Sequence, residues 1–130
     1  MKTLTIVLSL TFSVMFSSTS FAGWTKVTET VNGTTYYVDF ERIRKHDGYV
    51  YYWDLTDNLK PNKNGYWSVK TYIQGDCKLF RIKNLSYSAH KEPMGGGTGD
   101  TLPVPEKHKG WKYPPPDGIG EYILKKVCSR

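Results

Sequence analysis

The sequence predicts an α+β fold: an antiparallel sheet of five or six strands, with one C-terminal helix packed on it and tethered by a disulfide. Three observations carry the prediction. Runs rich in β-branched and aromatic residues, separated by turn residues, fill residues 24 to 89. A single segment of helical period closes the chain, with Ile119, Ile123 and Val127 in step and Tyr122 and Leu124 beside them. The only two cysteines are Cys77, which opens a strand-like run, and Cys128, which ends that helix. Hairpin-spaced strands followed by one helix give a sheet covered on one face.

The chain opens on a leader pattern. Lys2 precedes the apolar run Leu4 to Phe16, and Ser20-Phe21-Ala22 puts small residues where a signal peptidase reads. The run is shorter than the roughly 20 residues that span a bilayer, and no lipid-attachment cysteine follows it. The expectation is a cleaved signal peptide over residues 1–22 and one domain over residues 23–130. The mature chain is then periplasmic or secreted, with no transmembrane segment. In such an oxidising compartment two cysteines admit one intrachain bond, and without Cys-x-x-Cys spacing it reads as a staple.

The elements follow in order. Trp24 to Thr28 alternates, and Asn32-Gly33 is a hairpin signal leading into Thr34 to Phe40. Phe40 to Lys45 is a short polar link with room for one helical turn, closed by Asp47-Gly48. Tyr49 to Leu55 (YVYYWDL) sets Tyr49, Tyr51, Trp53 and Leu55 against Val50, Tyr52 and Asp54. Asn58 to Gly65 is a turn by composition, and Tyr66 to Gln74 places Trp67, Val69, Thr71 and Ile73 on one face. Gly75-Asp76 is the next expected turn; Cys77 to Asn84 returns as a strand that continues or bends near Asn84. From His90 to Pro116 glycines and prolines break both helix and ladder, with Trp111 as the expected anchor. Asp117 reads as the N-cap of the final helix, and Lys125, Lys126 and Arg130 suit its C-terminal end.

The formal charge is +6 in the full chain, and losing Lys2 with the leader lowers it to +5. A basic surface favours anionic partners, and export removes nucleic acid from them. The charges are scattered, which a soluble cationic surface also explains; the tightest cluster is Arg42, Arg44 and Lys45. No residues read as catalytic, and no cofactor or metal is expected. His46, His90 and His108 lack ligand spacing. Asp39 and Glu41 read as a strand end beside Arg42 and Arg44, and Ser68, Ser86 and Ser88 lack a nucleophile-elbow context. Gly95-Gly96-Gly97 has no following Lys-Ser/Thr and reads as a turn needing positive φ.

Aromatic residues are the chemical excess, at 15% of the chain, and they crowd three strands, so both faces of the sheet carry rings. One face must take the helix. The other either stiffens the sheet through cross-strand aromatic pairs or forms a binding surface. The candidate ligand-binding residues are Tyr49, Tyr51, Trp53, Tyr66, Trp67 and Tyr72 with Arg42, Arg44 and Lys45.

An ordered set of short motifs adds a resemblance. Trp24-Thr25-Lys26-Val27, Tyr36-Tyr37-Val38-Asp39, Ile43-Arg44, Tyr49 to Asp57, Asp76-Cys77, Pro93-Met94-Gly95, Trp111 and Pro115-Pro116-Asp117-Gly118-Ile119-Gly120 through Cys128 resemble the surface-adhesin protein E-like family of small exported bacterial proteins. The resemblance covers nearly the whole mature chain. It implies an antiparallel sheet with a C-terminal helix tethered by Cys77–Cys128, and a bacterial surface or periplasmic location with adhesion to host matrix proteins in its best-known members. The expected function is therefore an exported, non-enzymatic binding module. It would be adhesin-like, contacting host matrix or cell-envelope components, with a protein or an anionic polysaccharide as partner. The alternative is a periplasmic accessory or inhibitor protein of the cell envelope that holds its partner through Lys91 to Pro116.

Overall fold

The computed structural model describes residues 23–130, so the leader expected over residues 1–22 lies outside the described residues. Seven strands form one antiparallel sheet: β1 (Trp24–Glu29), β2 (Thr35–Asp39), β3 (Arg44–His46), β4 (Tyr49–Asp57), β5 (Ser68–Asp76), β6 (Arg81–His90) and β7 (Gly99–Leu102). Their spatial order is β1-β2-β4-β5-β6-β7, and β3 also pairs with β4. β2 and β3 lie one after the other along the same edge of β4, pairing with Asp54–Asp57 and Tyr49–Tyr51 in turn. A 3-10 turn at Phe40–Arg42 steps the chain from one to the other. The helix α1 spans Ile119–Cys128.

Two of the seven strands lie in segments not read as strands. β3 lies in the segment read as a polar link, where Asp47 (φ 51) and Gly48 (φ 84) form a tight two-residue hairpin with both φ angles positive. β7 lies in the Gly/Pro stretch. An edge strand needs one neighbour only, and four residues fit before Pro103 ends the ladder.

Two boundaries also move. β5 runs through Gly75 and Asp76, so the turn is Cys77–Phe80 and Cys77 does not open a strand. Asp76 holds that turn: its Oδ1 accepts the N–H groups of Lys78 and Leu79, both at 3.0 Å. Gly75 serves packing here, because a Cβ on it would stand 2.9 Å from Leu124 Cδ1 and 2.9 Å from Val50 Cγ2. The helix N-cap is Gly118 rather than Asp117, whose φ of 62 places it in the turn before the helix. Asp117 instead donates its backbone N–H to Glu121 Oε1. The bend expected near Asn84 is a bulge, in which Leu85 is extra between Asn84 opposite Ile73 and Ser86 opposite Tyr72.

The core lies between one sheet face and α1. Val38, Val50, Tyr52, Ile73 and Ile82 meet Ile123, Leu124 and Val127. Burying each aliphatic side chain contributes roughly 1.5–3 kcal/mol. A ten-residue helix is too short to persist alone in water, so this contact and the Cys77–Cys128 disulfide hold it.

Candidate functional site

Strand alternation separates the two faces. Val50 and Tyr52 lie under α1, so Tyr49, Tyr51, Trp53 and Leu55 point to the opposite, outer face. One end of that face is covered. The glycine run folds into a 3-10 turn at Pro93–Gly95, with Met94 (φ 58) and Gly95 (φ 69) in the left-handed region. Met94 N–H donates to Asp57 Oδ1 at 2.7 Å and Gly95 N–H to Ser68 Oγ at 2.8 Å, and Leu55 beneath is fully buried. The positive-φ turn read from the sequence is thus the cover of the outer face at this end.

At the other end Trp111 folds over. Lys112 and Ile82 exchange both backbone hydrogen bonds at 2.9 Å, which fixes the loop to the free edge of β6. Trp111 then packs 5.4 Å from Tyr49, with the Arg81 guanidinium 4.3 Å and the Lys83 ammonium 4.7 Å from its ring. This is the anchor expected of Trp111. Arg81 is itself tied to Asp76 at 2.9 Å. Three donors, first the Leu79 N–H and also Arg81 and the Lys78 N–H, hold the Asp76 carboxyl below its usual pKa.

Between the two covers the face stays partly open. Trp53 packs tilted against Tyr72 with ring centres 4.7 Å apart, and Tyr72 stacks on Tyr51 at 6.2 Å. The Arg44 guanidinium caps this column, 5.0 Å from the Tyr51 ring. The registers set two rows across neighbouring strands: Arg44, Tyr51, Gln74 and Lys83, and beside it Trp53, Tyr72 and Ser86. Among the described residues no carboxylate pairs with Arg44 or Lys83.

Of the candidate residues, Tyr49, Tyr51, Trp53, Tyr72 and Arg44 come together here. The others go elsewhere. Tyr66 precedes β5 and donates its hydroxyl to Asp100 at 2.9 Å, tying the start of β5 to β7. Trp67 continues the ladder through its backbone, to His90 O at 2.8 Å and from Asn58 N–H at 2.9 Å. Arg42 pairs with the buried Asp39 at 3.4 Å, as a strand-end carboxylate would. Lys45 alternates away from Arg44, and its Nζ donates to Arg130 O at 2.8 Å. Gln74, Lys83, Ser86 and Trp111 join the face without having been singled out as ligand-binding residues.

A second polar feature lies on the helix face, past the helix N-terminus. Asp54, Thr71, Asn84, Tyr87 and Lys112 line a cavity of about 190 Å³ against Gly120 and Ile123. Burial pushes the Asp54 carboxyl up to about 7, against a hydrogen bond from Thr71 and the charge of Lys112. Burial lowers Lys112, which contacts His108 Nδ1 at 3.0 Å. Burial first, and then the Asp54 charge, raise the Tyr52 hydroxyl. Perturbed groups around a cavity mark a functional candidate. Among the described residues, however, Asp54 and Lys112 form no ion pair, and no three of His, Cys, Asp and Glu converge.

The fold and its surface define a helix-backed antiparallel sheet, stapled at its C-terminus, that presents a partly open aromatic and cationic face. Residues 24–129 match the family described as surface-adhesin protein E, and the chain belongs to that family. It resembles the structure of Haemophilus influenzae protein E in crystal form II with a TM-score of 0.63 at 19% identity, over 83% of this chain and 88% of that one. Protein E from non-typeable Haemophilus influenzae gives 0.60 at 18% identity, over 83% and 76% of the two chains. At that identity the likeness speaks for the fold. No curated protein matches the chain in sequence.

Proposed function

We propose that the protein is an exported, non-enzymatic, adhesin-like binding module that holds a host-matrix or cell-envelope component on the outer face of its sheet. The observation that carries this reading is the Trp53–Tyr72–Tyr51 column capped by Arg44, on the face that the helix leaves uncovered. Aromatic residues and arginine are the side chains that dominate binding energy at interfaces. Membership of a surface-adhesin family supports both the export and the adhesin-like character.

The test is retention of the mature protein on an immobilised extracellular-matrix preparation and on an envelope extract. Trp53→Ala with Tyr72→Ala should weaken binding at least about tenfold, since one hot-spot side chain contributes about 2 kcal/mol or more. Binding that survives this double substitution would move the site off the outer face.

A second reading has its own observation. Leu85, Leu102, Pro103 and Val104 line a groove of about 490 Å³ beside the β6–β7 edge, within the loop that an accessory or inhibitor protein would use. Capture of an envelope protein that is lost on Leu102→Ser with Val104→Ser, but kept on Trp53→Ala, would favour it.

A further inference from the structure

We infer that the partner of the outer face is an acidic polysaccharide, whose sulfate or carboxylate groups dock on Arg44 at one side of the sheet and Lys83 at the other. The inference rests on the reading that this face is the binding face, and it names what the face selects.

The end groups come first. Arg44, Tyr51, Gln74 and Lys83 occupy paired positions on β3, β4, β5 and β6. Three strand spacings separate the two cations, about 14 Å along the sheet. The Arg44 guanidinium carbon lies over the Tyr51 ring at 5.0 Å, and among the described residues its N–H donors enter no side-chain hydrogen bond or ion pair. A fork of that kind binds an oxyanion through two parallel hydrogen bonds, and stacking removes much of the side-chain entropy otherwise lost on binding. Lys83 is steadied in the same way by Trp111. With no carboxylate paired to either cation among the described residues, an incoming anion displaces no internal partner.

The floor between them points to a sugar chain rather than a protein knob. Tyr72 stacks on Tyr51 and packs tilted against Trp53, so the three rings pack on one another and their edges are left to a ligand. Those edges carry two phenolic hydroxyls and an indole N–H, and Gln74 and Ser86 add an amide and a hydroxyl in the same rows. A shallow field of hydrogen-bonding groups with a cation at each side matches a chain that carries hydroxyls throughout and charges at intervals. The covers at Trp111 and at Pro93–Gly95 limit the field at either end and give the chain a path across the strands.

The probe is a size-defined heparin fragment, measured against its desulfated form and against a neutral dextran at equal ionic strength. Wild type should bind the sulfated fragment most tightly, the desulfated form, which keeps its carboxylates, more weakly, and neutral dextran not at all. Arg44→Gln and Lys83→Gln should each weaken it about tenfold or more, as loss of a charge-assisted hydrogen bond does. Arg44→Lys, which keeps the charge and loses the fork, should fall between. Lys107→Gln with Lys109→Gln removes two charges elsewhere and should leave binding within about twofold. Equal weakening by that control pair would reduce the effect to net charge and overturn the inference. Absence of polysaccharide binding, while a glycan-stripped matrix preparation is still retained through Trp53 and Tyr72, would overturn the inference and leave the proposed function standing. Failure of both would remove the outer face as a binding face. Unchanged melting curves confirm that each variant is folded.

Discussion

Asp54 stands in a strand of aromatic and aliphatic residues, YVYYWDL, yet shares the helix face with Val50 and Tyr52. Burial raises its pKa to about 7 from an ordinary value of 3.8, so the folded state prefers it protonated. The unfolded chain loses this proton near pH 4 and the folded chain only near pH 7. At this residue stability therefore falls as pH rises through that window. Asp54→Asn should raise the melting temperature at pH 7.5 by about 4 °C or more, an effect of at least about 1 kcal/mol, and change it little at pH 4. Asp76 carries the opposite sign: its lowered pKa contributes stability above the ordinary carboxylate range, and this is lost as pH falls through the folded value. Asp76→Asn should lower the melting temperature at pH 7, with the deficit shrinking in acid. Thermal melts of both variants from pH 4 to 8 check the two signs together. The acid in the apolar strand was visible in the sequence. Its cavity was not, because that depends on Lys112 arriving from a loop nearly sixty residues later.

At the scale of elements, the helix was legible because Ile123 and Val127 recur at its period and both are buried. The central strands were legible for the corresponding reason, since alternation reports a half-buried sheet. β3 and β7 were not. Short edge strands are stabilised by the neighbour they pair with, and neither RKH nor GDTL shows a periodicity of its own. Gly75 misled in the same way, because a glycine in a turn and a glycine under a packed helix look alike in sequence. Gly75→Ala should cost about 1–3 kcal/mol by forcing Leu124 and Val50 apart, and chemical denaturation measures it. The staple has the larger effect. Cys77 and Cys128 lie 51 residues apart, and closing such a loop stabilises a fold by about 4 kcal/mol on the chain-entropy model. Cys128→Ala should lower the melting temperature by about 10 °C or more and speed amide exchange in α1 ahead of β4 and β5. Equal melting with and without reductant would show that the helix holds without its bond.

For the whole molecule, the two faces divide the work. One carries the helix, the apolar core and the disulfide; the other carries a column of packed rings between two loop covers. The sequence placed rings on both faces but left open which rings share a face with which cations. Tyr49, Tyr51, Trp53 and Tyr72 followed from alternation along single strands. Arg44 belonged to a compact cluster with Arg42 and Lys45, yet the three side chains diverge: one caps the column, one neutralises Asp39 and one reaches Arg130. Lys83 and Gln74 enter only through registers across three hairpins, which depend on turn geometry and the Leu85 bulge. The most direct measurement is a ¹⁵N NMR titration of the protein with a heparin fragment, read residue by residue. Shift changes should concentrate on Arg44, Tyr51, Trp53, Tyr72, Gln74, Lys83 and Ser86, and weaken with added salt. Changes centred on α1 or the Asp54 cavity would contradict the assignment of the outer face, and no changes at all would contradict an acidic polysaccharide as its partner.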